Sequence, residues 1–228
     1  MKEKNITGRL IVVLLSALVL FNLALNADQA NKETKISLTE LEKKVTEFMA
    51  EGDIPGLSLV VIRGGKPDYI KSFGFADLEA KKPVTADTLF EIASCSKAFT
   101  ALAALKLEQE GMIDLDAPVS RYLPWFYAAY KGDKKEITLR QCLHQTSGIP
   151  FKSISRIPAR DDDAALLDTV KNLAGIELAD LPGKKHEYAT VNYDIIGAVI
   201  EAVSGMPYEE YMAKNIFPGL GLQSTSVG

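Results

Sequence analysis

The sequence predicts an α/β chain, of α+β type, in which a helix and a β-hairpin precede a long helical region. Three observations predict it. Ser37-Leu38-Thr39-Glu40 has the form of a capping box opening a helix. Two runs of β-forming residues, GLSLVVIR over 56–63 and DYIKSFGF over 68–75, flank the turn signal Gly64-Gly65. Beyond Phe90, apolar residues recur at helical rather than alternating spacing.

The first helix carries Leu38, Leu41, Val45, Phe48 and Met49 on one face and closes at Gly52. In the first strand Leu57, Leu59 and Val61 point one way and Ser58, Val60 and Ile62 the other. Both faces are largely apolar, so the sheet expects cover and further strands beside it. Ser94 to Glu110 is apolar nearly all round, through Phe99, Leu102, Leu105 and Leu107, and stops at Gly111. A helix of that kind is expected to be buried on every side. Asp114 to Tyr130 holds two prolines and many aromatics and reads as irregular. Thr138 to Leu143 reads as a short helix, ended by Ser147-Gly148 and Pro150. Asp161-Asp162-Asp163 reads as a helix start, the helix running to about Leu173. Carboxylates suit that end of the dipole, and no other metal ligands lie nearby in sequence. Helices over Thr190–Val203 and Tyr208–Lys214 complete the set. No internal repeat or linker interrupts the order. Two strands alone make a marginal sheet, a first sign that strands are missing.

Composition narrows the function. The 228 residues are 47% hydrophobic and 25% charged, which suits a packed chain and not a disordered one. The formal net charge of −4 provides no basic footprint for a nucleic acid. With two histidines and two cysteines, a zinc site would have to rely on carboxylates. No cofactor is implied.

Residues 1–27 read as a signal peptide or an N-terminal membrane anchor. Lys2, Lys4 and Arg9 precede an apolar run over 10–25, broken only by Ser16 and Asn22, and polar residues follow. The run is shorter than the roughly 20 residues a spanning helix prefers. No clean small-x-small cleavage site is visible, so cleavage and anchoring both stay open. Either way, residues 28–228 are expected on the outer side of the cytoplasmic membrane, secreted, periplasmic or attached through 10–25.

Ser94 and Lys97 are the first candidates for chemistry. At i and i+3 on a helix, two side chains share one face. A serine hydroxyl is a poor nucleophile until a base takes its proton, and an unprotonated lysine amine is such a base. Burial and a helix N-terminus both favour neutral lysine. The spacing alone is weak, since 13 serines and 20 lysines in 228 residues give about one Ser-x-x-Lys by chance. His144 and His186 lack a matching Ser/Asp arrangement and read as surface or capping residues. Gly64-Gly65 reads as a hairpin turn and not a phosphate loop.

Several segments, however, resemble the serine β-lactamase and penicillin-binding-protein superfamily, in its class C-related branch. They are IPGLSLVVIRGGK (54–66), GFADLEAKKPVTADTLFEIASCSKAFTALA (74–103), LEQEGMIDLDAPVSRYLPWF (107–126), LRQCLHQTSGIP (139–150) and YATVNYDIIGAVIEAVSG (188–205). They keep the family's order and spacing over essentially all of 54–228. The resemblance implies a serine β-lactamase-type fold, an antiparallel sheet flanked by helices plus a helical region. It makes Ser94 the acylated nucleophile of the Ser-x-x-Lys motif and Lys97 its activating partner. It places Tyr188 on the family's Tyr-x-Asn tyrosine, with the register set by Tyr193 and Gly197, as a proton shuttle. Cys95 and Cys142 resemble apolar core positions, so both are expected to be buried free thiols.

Two departures stand beside this resemblance. Thr190 occupies the third place of the Tyr-x-Asn motif, a substrate-binding position, where a hydroxyl replaces an amide with separate donor and acceptor ends. Asn192 does not fit that register. No Lys/His-Thr/Ser-Gly third motif follows residue 190, and the resemblance implies a chain truncated at its C-terminus, without the strands that carry that motif. The function implied is an exported serine hydrolase acting through a Ser94 acyl-enzyme on an amide or ester: a D-alanyl peptide, a β-lactam or a small ester. The alternative is a catalytically impaired wall- or membrane-associated binding protein, or a non-functional fragment.

Overall fold

The computed structural model describes residues 37–157 and 165–227. Residues 1–27, read above as a signal peptide or an anchor, and the acidic run Asp161-Asp162-Asp163 lie outside the described residues. The chain divides into two units, one reaching to Thr88 and the other beginning at Leu89.

In the first unit, α1 (Leu38–Glu51) is followed by the antiparallel strands β1 (Gly56–Arg63) and β2 (Lys66–Asp77). The Ser37 hydroxyl accepts the Glu40 N–H at 3.1 Å, the N-cap bond that starts α1. Gly64 and Gly65 hold φ of 57° and 75°, which a two-residue hairpin with matching strand twist requires. β2 extends two residues beyond its predicted bounds at each end, and an edge strand β3 (Lys82–Pro83) pairs with it, which the sequence did not reveal. Tyr69 and Lys71 of β2 both reach Glu42 of α1, the tyrosine hydroxyl at 2.7 Å, so α1 lies on the Leu57-Leu59-Val61 face. On the opposite face Val60 pairs with Ile70, and Val60, Ile62 and Ile70 are 53–57% exposed. Of the two apolar faces, the helix covers one.

The second unit holds α2 (Ser96–Gln109), entered through a 3₁₀ turn at Ala93–Cys95, then α3 (Leu139–Leu143), α4 (Ala165–Asn172), α5 (Val191–Ser204) and α6 (Tyr208–Asn215). Thr138 and Gln141 form a reciprocal capping box that fixes α3. A second small sheet, not foreseen, inserts between α2 and α5 in sequence. β4 (Ala128–Tyr130) forms a hairpin with β5 (Asp133–Lys135) and pairs in parallel with β6 (Ile176–Glu177). The segment read as irregular therefore ends in a strand. Lys131 and Gly132 both take positive φ in its turn.

The core also corrects the reading of α2. Its buried stripe is Thr100, Ala103, Ala104 and Leu107, the i, i+3, i+4, i+7 face packed on α5. Leu102 and Leu105 on the other side are 39% and 50% exposed. The helix buried nearly all round is α5, through Val191, Ile195, Ile196, Ala198, Val199 and Ile200. It packs on α2, α3, α4 and α6. At Gly197 a Cβ would stand 3.1 Å from the Leu166 side chain, whose methyl would have to give by a few tenths of an ångström to admit it. Among the described residues no helix is long and apolar enough to cross a membrane.

Candidate active site

Ser94 sits in the 3₁₀ turn and Lys97 in the first turn of α2, so the i, i+3 spacing brings both to one side of the helix start. The Lys97 Nζ donates to Ser94 Oγ at 3.1 Å. Ala93, immediately before the serine, has φ of +44°. A left-handed conformation is costly for a residue with a Cβ, and here it turns the chain sharply so that Ser94 stands exposed at the helix entrance.

Tyr188 comes from the segment leading into α5. Its hydroxyl lies 2.7 Å from Ser94 Oγ, within hydrogen-bond distance, although the residues are 94 apart in sequence. Lys97 Nζ stands 5.1 Å from the centre of the Tyr188 ring and 5.7 Å from that of Tyr193. The phenol of Tyr188 is held below its ordinary range. Hydrogen bonding from Lys97 is the largest cause, followed by hydrogen bonding from Ser94, and both outweigh partial burial. The Thr190 hydroxyl adds a smaller pull in the same direction. Thr190 also occupies the N-cap position of α5 but makes no capping bond, which leaves its hydroxyl to the site. The structure therefore brings Ser94, Lys97 and Tyr188 into direct contact, with Thr190 beside the tyrosine.

Other residues fall elsewhere. His144 and His186 are exposed. Cys142 is fully buried, and burial pushes its thiol up to about 12. Cys95 is an exposed free thiol, against the expectation that both cysteines are buried. The 3₁₀ turn rotates it outward, next to the serine. Among the described residues no group of three or more metal-ligating side chains converges.

Two features of the site were not read from sequence. Asp194 on α5 places Oδ2 in the interior with no hydrogen-bond partner among the described residues, within electrostatic reach of Lys97. Burial pushes its pKa up to about 6, against a weaker opposing pull from the Lys97 charge. Its signal was one of two carboxylates, with Glu201, in a largely apolar helical run. Asn192 is fully buried in a hydrogen-bonded chain with Gln145 and Ser147. Its amide is thus used up inside the core and is not turned to Ser94, in keeping with its place outside the Tyr-x-Asn register.

Comparison with known proteins adds to this geometry. The Beta-lactamase family model matches residues 41–228. Protein flp of Staphylococcus aureus (strain N315) is 36% identical over 193 residues, which cover 85% of this chain and 39% of that protein. The octameric penicillin-binding protein homologue from Pyrococcus abyssi superposes with a TM-score of 0.72 at 32% identity, over 82% of this chain and 44% of the other. EstCE1, a hydrolase with promiscuous acyltransferase activity, superposes with a TM-score of 0.70 at 29% identity, over 78% of this chain and 50% of the other. This chain thus spans half or less of the length of each of these relatives. The superpositions show the α/β serine β-lactamase-type fold that the sequence predicts.

Proposed function

This chain belongs to the Beta-lactamase family, and from that premise we propose that it carries the acylating centre of a serine hydrolase, with Ser94 as nucleophile. The observation that carries this reading is the convergence on Ser94 Oγ of Lys97 at 3.1 Å and Tyr188 at 2.7 Å. Tyr188, with its lowered pKa, takes the serine proton as Ser94 Oγ attacks the substrate carbonyl carbon. Lys97 acts here as the cation that donates to Ser94 Oγ, not as the neutral base the sequence suggested, and its charge stabilises the phenolate. The tetrahedral oxyanion collapses when the leaving amine or alkoxide takes the proton back from the Tyr188 phenol, and the acyl group remains on Ser94. A water then attacks the ester and gives its proton to Tyr188. Ser94 leaves with that proton, and a carboxylic acid is released. The Ser94 N–H, at the start of a helical turn, provides one donor for the oxyanion.

The substrate is an amide or ester of the kinds the family resemblance implies: a D-alanyl peptide, a β-lactam or a small ester. The description of EstCE1 as a hydrolase with promiscuous acyltransferase activity supports acyl transfer, and the description of the Pyrococcus abyssi protein as a penicillin-binding protein homologue supports a β-lactam-reactive centre. The basic head and apolar run 10–25 support export, with the catalytic unit outside the cytoplasmic membrane and either freed or anchored. Thr190 in the place of asparagine supports a second reading, in which acylation occurs and turnover is slow. Hydrolysis of a chromogenic cephalosporin, a nitrophenyl ester and a D-alanyl-D-alanine peptide by the intact gene product tests the proposal. Turnover of at least one, lost in Ser94→Ala, is expected. Stoichiometric acylation without turnover selects the second reading, and turnover that persists in Ser94→Ala overturns both.

A further inference from the structure

Tyr188 lies in an irregular segment, where no helix or strand ladder holds the backbone, yet its phenol meets Ser94 at 2.7 Å. One buried residue grips that segment on both sides. The backbone carbonyl of Gln145 accepts the Glu187 N–H at 2.8 Å. The Gln145 side-chain oxygen accepts the Ala189 N–H at 2.9 Å. Gln145 is 7% exposed and holds φ of +58°, a conformation that a non-glycine residue keeps only where its surroundings enforce it.

The same side-chain oxygen also accepts Asn192 Nδ2 at 2.7 Å. Asn192 Oδ1 accepts the Ser147 hydroxyl at 2.7 Å, and Ser147 Oγ accepts the Ile149 N–H at 3.2 Å. The two backbone N–H groups can only donate, so every amide and hydroxyl between them has one orientation that satisfies the chain. A buried network satisfied in one direction only is rigid, and its rigidity passes to whatever it holds.

We propose that Gln145 is a positioning residue for the proposed chemistry at Ser94: by holding the backbone at 187 and 189 it fixes where the Tyr188 hydroxyl stands between Ser94 and Lys97. The inference rests on the acyl-enzyme reading for its functional meaning, but the clamp itself can be tested without turnover. Among the described residues no hydrogen bond joins Gln145 to Ser94 or to the Tyr188 hydroxyl, so it acts through the backbone on either side of the tyrosine. Proton transfer depends on heavy-atom separations near 3 Å, and a displacement of about 1 Å costs about a hundredfold in rate.

The test combines two readouts on the intact protein. The first is the titration of Tyr188, followed by NMR of tyrosine labelled at Cζ, with Tyr188→Phe assigning the signal among the eight tyrosines. The second is the rate of Ser94 acylation by a fluorescent penicillin or fluorophosphonate across pH. In Gln145→Met, which keeps the length and loses the acceptor, the Tyr188 titration is expected to move up by about half a unit or more as Lys97 and Ser94 lose contact with it. Labelling is expected to slow by about tenfold to a hundredfold. Gln145→Glu, which retains an acceptor oxygen, should recover most of both. The double variant Gln145→Met with Tyr188→Phe should label no more slowly than Tyr188→Phe alone. Ser147→Ala, at the far end of the network, should shift the titration in the same direction by less, and serves if Gln145→Met does not fold. An unshifted Tyr188 titration in a folded Gln145→Met or Ser147→Ala protein overturns the proposal, as does a further loss in the double variant. Absence of any label at Ser94 in the unaltered protein would strike the acyl-enzyme reading instead, while the titration still decides the clamp.

Discussion

Asp194→Asn is expected to stabilise the protein at neutral pH and to change little at acid pH. The carboxyl of Asp194 faces the interior of the second unit with Oδ2 buried and unpartnered among the described residues. Burial raises its pKa from 3.8 to about 6, and the attraction of Lys97 opposes this only in part. A carboxyl of this kind binds its proton more tightly in the folded than in the unfolded chain. Its protonated form thus supports the fold below about pH 4, and that support is lost as the pH rises through about 6. A shift of about two units corresponds to about 3 kcal/mol of cost when the carboxylate is forced to ionise in place. Asparagine keeps the shape and cannot ionise. From about pH 4.5 to about pH 7.5 the variant should therefore gain about 2 kcal/mol on the unaltered protein. For a chain of this size that moves Tm by about 4–8 °C. Thermal unfolding of both proteins by far-UV circular dichroism at the two pH values measures it. A stability difference that does not change with pH refutes the reasoning. So does one that turns against asparagine as pH rises, because attraction to Lys97 would then outweigh burial.

Three further outcomes are expected. Tyr188→Phe should slow acylation of Ser94 by about 10²–10⁴. In the proposed mechanism the working form of Tyr188 is the phenolate, so the labelling rate of the unaltered protein should fall as pH drops below a midpoint lower than tyrosine's ordinary 10, a limb that stopped-flow labelling should find missing in the variant. Thr190→Asn should raise the acylation rate by about tenfold if one oriented hydrogen bond is regained, and an unchanged or slower rate in the same assay would mean that the site is built around the threonine hydroxyl. Titration of the folded protein with an aromatic disulfide reagent at mildly alkaline pH should find one reactive thiol, the exposed Cys95, while the buried Cys142, with its thiol pushed up to about 12, reacts only on unfolding.

Elements written in local chemistry were legible in the sequence. The Ser37 cap and the Gly64-Gly65 turn each fix a boundary locally, and the helix read from Thr138 is set by a capping box that the sequence reading did not name. The second sheet was not legible, because β4, β5 and β6 are two or three residues long and draw their stability from tertiary context. Ala128, for example, is fully buried and paired on both sides. The burial of α2 was misread for a related reason: composition shows that Leu102 and Leu105 are apolar, not what lies beside them. At the site, helical spacing puts Ser94 and Lys97 on one face, but spacing alone is weak evidence, and family resemblance singled out that pair as it did Tyr188, 94 residues away. Gln145 carries no sequence signal, since a buried glutamine that clamps a remote backbone looks like any polar residue in a turn.

The assignment of Ser94 as nucleophile is decided by the mass of the acylated peptide. The intact gene product is treated with a fluorescent penicillin or a fluorophosphonate, digested and mapped. An adduct on Ser94 is expected, abolished by Ser94→Ala and largely retained in Ser96→Ala. An adduct on Ser96 or on any other residue, or undiminished labelling of Ser94→Ala, would contradict it.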